Sequence, residues 1–193
     1  METTPAAMAV QDLGPSKQAR ADLPELVQAA NEVLLQGLTL LFRIGDNTYS
    51  STAGEPFQAS IGGHYRHVLE HFQSLVHGLR ASEVNYDARE RNLRLQSEVS
   101  YASVATCDIL RTLKHCDNRV LHRECRVINS VGYSASKPAA MDSNIGRELA
   151  YCVGHAIHHY AIIRLIGHEF GLELPAEFGV APSTLKHQPL IAS

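Results

Sequence analysis

Gly154-His155-Ala156-Ile157-His158-His159-Tyr160 is the stretch on which the reading of this chain turns. His155 and His159 are four residues apart, so in a helix they project from one face, one turn apart. Cys152, His155, His159, Ile162, Ile163 and Ile166 share one sector of that helix. Two imidazoles therefore stand within an apolar stripe. A buried polar group without a partner costs roughly 1–3 kcal/mol. Two such rings in succession are hard to satisfy with ordinary hydrogen bonds. One divalent metal satisfies both, and a third imidazole from a facing helix completes an open site. His158 points away from the sector and reads as a flanking or outer residue. Cys152, three positions before His155, shares the face and offers a thiolate as an alternative ligand.

Working outward, the stripe defines a helix from near Ser143 to near Phe170, with Gly171 as its C′ residue and Pro175 beyond. Three earlier segments carry the same periodicity. The first starts near Asp22, has Pro24 and Glu25 in its first turn, and carries Leu26, Ala30, Val33, Leu34, Leu38 and Leu41. Residues 45–57 read as a loop. The second helix runs from about Gln58 to Ala81 on the stripe Ile61, Tyr65, Val68, Phe72, Leu75 and Leu79. Asp87 and Glu90 form a capping-box pattern that opens a third helix reaching about His115, with Leu95, Val99, Ala102, Ile109 and Leu113 on its core side. Arg119 to Tyr133 is partly β-branched and reads as a small hairpin or extended excursion. Ser136-Lys137-Pro138 is loop.

The expected fold is all-α: a four-helix bundle with an extended or hairpin excursion between helices 3 and 4. Residues 1–21 read as a flexible tail, 22–172 as the bundle, and 173–193 as an extended C-terminal tail packed on it. The chain has 193 residues, enough for one such core. Its composition is that of an ordinary globular protein, and a net charge of -3 supplies no basic field for nucleic acid. No stretch is long and apolar enough for a membrane span, and the N-terminal residues lack a secretory pattern. A cytoplasmic protein is expected. Cys107, Cys116, Cys125 and Cys152 contain no Cys-x-x-Cys and read as reduced, mostly buried thiols.

The third ligand should come from the second helix, which carries His64, His67 and His71. Periodicity nominates His64 or His71, because His67 sits at the polar border of the stripe. Eleven histidines in the chain generate chance His-x-x-x-His pairs, and a lone pair is more often structural. Placement within the stripe and a second cluster on another helix raise the case for metal. Other metal signatures fail: there is no His-Glu-x-x-His and no Glu-x-x-His.

Ser60-Ile61, five residues, then His67-Val68-Leu69, followed much later by His155-Ala156-Ile157-His158-His159, resembles the DinB/YfiT-like family of four-helix-bundle metal proteins. The likeness covers roughly residues 23–172. It selects His67 over His64 and His71, and implies a metal site of His67, His155 and His159. His64, His71 and His158 remain outer or alternative ligands. The resemblance also implies an up-down-down-up bundle and Zn, Ni or Fe as the ion. It further implies chemistry on a small molecule: transfer of a low-molecular-weight thiol, or hydrolysis. Related iron sulfoxide synthases add a large second domain not found in this chain, which argues against their oxidative chemistry. The expected partners are a small-molecule substrate, with neither nucleic acid nor membrane, and the fold leaves room for a homodimer. A non-catalytic metal-stabilised or metal-sensing bundle is the alternative. His64, His158, Tyr160, Arg66 and Glu70 are candidates to surround the ligands. Arg66 and Glu70 read better as a solvated i, i+4 pair. Tyr86-Asp87-Ala88-Arg89-Glu90-Arg91 could receive an anionic substrate, although a capped helix start is the preferred account.

Overall fold

Four long amphipathic segments form helices in this computed structural model, which describes residues 23–134 and 137–187. They are α1 (Glu25–Leu41), α3 (Ile61–Ala81), α5 (Val99–Leu113) and α7 (Ile145–Glu169). Short helices α2 (Asp46–Ser50), α4 (Arg94–Ser97), α6 (Asn118–Leu121) and α8 (Pro182–His187) lie between or after them. Strands β1 (Glu83–Asn85), β2 (Glu124–Asn129) and β3 (Ala139–Asn144) complete a mostly helical fold with a small sheet. The long helices pack in a ring: α1 against α5 and α7, α3 against the same two.

Local chemistry sets the helix ends. Ser60 accepts a hydrogen bond from Gly63 N–H at 3.0 Å to start α3, and Asn144 accepts from Arg147 N–H at 2.9 Å to start α7. Past α7, Gly171 adopts φ 69° and Leu172 N–H donates to the Gly167 carbonyl at 2.8 Å. That is the closure expected of a glycine at C′. Ile61, Tyr65, Val68, Phe72 and Leu75 of α3 are buried as their spacing requires, as are Ala30, Val33, Leu34, Leu38 and Leu41 of α1.

The capping-box expectation at Asp87 fails. Asn85 Oδ1 accepts from the N–H groups of both Asp87 and Ala88, at 3.0 Å each, and turns the chain instead. Arg91 has a left-handed φ of 52°, so no helix passes through it. Helical structure begins at Arg94 and breaks again at the extended Glu98. The start of α5 is capped from a distant segment: Asp46 Oδ1 accepts from Val99 N–H at 2.8 Å. Asp46 belongs to α2, inside the stretch expected to be loop, and Tyr49 of the same turn is buried and donates to the Leu95 carbonyl at 2.6 Å.

The extended excursion is a sheet of three strands in the order β1-β2-β3. β2 and β3 pair antiparallel, with Val127 opposite Met141, and β1 adds parallel to β2. Cys125 and Val127 turn inward from β2, and Val84 packs from β1 against Gly78. An all-α reading therefore misses a sheet that draws on residues before α5 as well as after it. In the expected extended C-terminal tail Phe178 is buried, and residues 182–187 form α8 rather than extended chain. Residues 1–22, 135, 136 and 188–193 lie outside the described residues, and with them the expected N-terminal tail and Ser136 of the expected loop.

Candidate metal centre

The seam between α3 and α7 carries five histidines. From α3 come His64, His67 and His71, and from α7 come His155 and His159. One ring nitrogen from each of His67, His155 and His159 lies within 4.8 Å of the other two. Ring centroids are 5.0 Å apart for His67 and His155, 4.6 Å for His67 and His159, and 4.5 Å for His155 and His159. All three are half-buried. Three neutral nitrogen donors converging from two helices could hold a divalent ion. His155 Nε2 is buried and has no hydrogen-bond partner among the described residues, which leaves a donor or lone pair unmet in the seam.

Burial is the largest influence on each ring and disfavours the charged form. It pushes His155 down to about 4, with the charges of His71, His158 and Arg89 adding to the effect. His159 is pushed down to about 3 by burial and then by His155 and His64. His67 is lowered further, by burial and then by His71 and His159. The rings are therefore neutral at physiological pH, the form that ligates metals.

Neighbours orient these rings. His64 Nδ1 is 2.9 Å from His159 Nδ1, so one ring donates to the other. When His159 is the donor, its Nε2 is left as the free lone pair. His71 donates from Nδ1 to the His67 carbonyl at 2.8 Å. Its ring lies against Tyr86, at a centroid distance of 5.2 Å. Tyr86 in turn donates to the buried Glu148 at 2.9 Å, and Ser143 donates to the other oxygen of that carboxylate at 2.6 Å. Tyr151 stacks on His155 at 5.5 Å. The turn at Asn85 delivers Arg89 into the seam, where its Nη1 donates to His67 Nδ1 at 2.6 Å.

Other residues nominated by the sequence fall elsewhere on the molecule. His158 is exposed on the flank of α7. Tyr160 faces the opposite side, stacked between Tyr65 and Phe178. Cys152 is buried with its thiol 3.7 Å from the Tyr86 hydroxyl and the His71 carbonyl, outside the histidine group, and burial pushes it up to about 12. Arg66 and Glu70 are not the solvated pair that their spacing suggests: Glu70 is 3% exposed, and the Arg66 Nε to Glu70 Oε1 separation is 3.7 Å. The sequence reading did not single out Tyr151 or Glu148. Glu148 had a weak signal, a carboxylate two turns before His155 on the same helix. Arg89 sat in a charged run whose helical reading hid its direction.

No family model matches the chain. It is 38% identical over 104 residues to FK506-binding protein 5 of Rhizopus delemar, a stretch that covers 54% of this chain and 27% of that protein. The chain thus matches only about a quarter of that relative's length. Among solved structures it is similar to a DinB-like protein, YjoA, of Bacillus subtilis. The TM-score is 0.55 at 18% identity, over 82% of this chain and all of that one. The chain has the DinB-like fold.

Proposed function

We propose that this chain is a DinB-like metal protein in which His67, His155 and His159 hold one divalent ion, and that it acts on a small molecule by thiol transfer or hydrolysis. One observation carries the reading: three neutral imidazoles converge within 4.8 Å, and one of them offers a buried nitrogen that nothing else among the described residues engages. A divalent ion bound there supplies Lewis acidity at neutral pH, the chemistry that thiol transfer and hydrolysis share. The donor set suits Zn, Ni or Fe alike. His64 positions His159, and His71 packs behind His67 and His155. Tyr86, Tyr151 and the buried Glu148 wall the seam on the side of the sheet.

The helix directions belong to the same proposal, an up-down-down-up bundle. Arg43, just past the end of α1, donates to the Glu173 carbonyl just past the end of α7 at 3.2 Å, which supports a parallel α1 and α7. Gly62 at the start of α3 abuts Gln96 just before α5, which supports a parallel α3 and α5. Four free cysteines and the lack, among the described residues, of a helix long and apolar enough to cross a membrane fit a reducing cytoplasm.

Elemental analysis of untreated protein tests the metal. Wild type should carry about one ion per chain, and His155→Ala or His159→Ala should carry almost none. Equal metal content in wild type and both variants would end the proposal. A panel of electrophiles with a low-molecular-weight thiol then tests turnover. Metal-dependent stability with no turnover across the panel would favour a metal-stabilised or metal-sensing protein.

A further inference from the structure

Among the described residues the Arg89 side chain makes one hydrogen bond, and that bond competes with metal. A guanidinium carries only N–H groups, so at 2.6 Å it donates and His67 Nδ1 accepts. A neutral imidazole has a single in-plane lone pair to give. Given to Arg89 at Nδ1, it leaves a proton on Nε2. Ligation through Nδ1 displaces Arg89. Ligation through Nε2 places a proton on Nδ1, which then faces the guanidinium donor to donor. Either way, His67 cannot hold a metal and keep Arg89.

Release would leave a cation without an anion. Among the described residues no carboxylate lies within ion-pair distance of Arg89. Its Nε is buried with no hydrogen-bond partner among the same residues. The residue is half-buried and held near the rings by the Asn85 turn and by Asp87, which accepts from Ser130 at 2.8 Å just past the end of β2. A divalent ion beside this guanidinium is a like-charge repulsion that a bound anion would relieve. One guanidinium presents a planar fork that matches two carboxylate oxygens. The same fork can pair two phosphate oxygens, but it is one positive charge and matches a monoanionic carboxylate without leaving charge or further oxygens unmet.

We propose that Arg89 is the carboxylate-receiving residue of the site: metal loading at His67 frees its fork, which then anchors a carboxylate-bearing substrate beside the ion. The inference rests on the metal reading above and names the substrate class for it. Arg89 also favours entry of metal and carboxylate together, because either one alone leaves a competing interaction in place.

Cobalt(II) titration followed by visible absorption tests this without turnover. Wild type, Arg89→Gln and Arg89→Lys are each titrated alone, with acetate and with sulfate. Acetate should tighten cobalt binding to wild type by about tenfold, a coupling of ordinary allosteric size. Arg89→Gln should bind cobalt more tightly than wild type without acetate and gain nothing from adding it. Arg89→Lys keeps the charge without the fork and should show a reduced acetate response; it carries the test if the glutamine variant does not fold. An acetate gain equal in wild type and Arg89→Gln overturns the proposal, as does a sulfate gain as large as that of acetate. A wild type that takes up no cobalt overturns the metal reading and this inference with it. Cobalt uptake with an Arg89-independent anion response overturns this inference alone.

Discussion

His64-Tyr65 on α3 faces His159-Tyr160 on α7, and each adjacent pair divides between two regions of the molecule. The histidines turn to the open side of the seam, where His64 and His159 meet at 2.9 Å. The tyrosines turn to the closed side, where their rings stack with centroids 6.2 Å apart and both are fully buried. Phe178 covers Tyr160, and Gly37 of α1 packs against both tyrosines so closely that a Cβ would strike their hydroxyls. The closed side meets most of its polar needs internally: Tyr65 pairs with Thr106 at 3.0 Å and Thr106 donates to the Ala102 carbonyl at 2.8 Å. The open side holds more polar groups than its neighbours satisfy. Shape complementarity marks the region that stabilises the fold. Unspent hydrogen-bonding capacity marks the region available to a ligand.

Truncation should separate the two regions most sharply. Tyr160→Ala removes a buried aromatic ring and should cost roughly 3–5 kcal/mol, read from denaturant unfolding of metal-free protein. His155→Ala should leave the metal-free protein close to wild type in stability. Its loss appears only with metal present: an ion at a hundred times its Kd adds about 2.7 kcal/mol to wild type and should add nothing to the variant. A large loss from His155→Ala without metal would show that the histidine side is structural core after all, and the contrast would collapse.

The fold was legible where one period dominated. Tyr65, Val68 and Phe72 kept their expected burial because a continuous apolar stripe leaves a helix one way to face. His155 and His159 were legible as a pair for the same reason. The choice of His67 was not: its place at the polar border of α3 argued against it, and only a motif-level resemblance singled it out. The border position has a physical reason, since the half-buried rings of His67, His155 and His159 come together at the partly exposed edge of the seam. Arg89 was hidden because Asp87 and Glu90 imitate a helix start, while the deciding contacts come from Asn85 and from Ser130, more than 40 residues away. Strand β3, Ala139–Asn144, has almost no apolar alternation and owes its structure to pairing with β2.

Acid should act on the open side first. Folding lowers the pKa of His155 to about 4 and of His159 to about 3, against an ordinary value near 6.5. Between these limits the unfolded chain takes up protons that the folded rings refuse. Stability of the metal-free protein is therefore full above about pH 6.5 and declines as pH falls toward the folded values, levelling off below them. The pH dependence of thermal unfolding checks this. A His155→Gln/His159→Gln variant should show a shallower decline over the same window. An unchanged slope would assign the acid sensitivity to other groups. Bound metal should steepen the wild-type curve, because protons then compete with the ion for the same nitrogens.

The smallest effect tests whether the closed side is as well satisfied as its packing suggests. Among the described residues the buried Tyr160 hydroxyl has only the Tyr65 hydroxyl beside it and makes no well-aligned hydrogen bond, whereas Tyr65 hydrogen-bonds Thr106. Phe substitution at the two positions should therefore move stability in opposite directions. Tyr160→Phe removes a buried hydroxyl that gains little from its poorly aligned approach to Tyr65 and should stabilise by up to about 1 kcal/mol. Tyr65→Phe breaks a made bond and should destabilise by about the same amount, since Thr106 keeps its carbonyl acceptor. A destabilising Tyr160→Phe would mean that the hydroxyl is engaged, which would take it out of the unmet groups of the closed side and leave Asn31 Oδ1 of α1. Unmet hydrogen-bonding capacity would then be still more strongly concentrated on the histidine side.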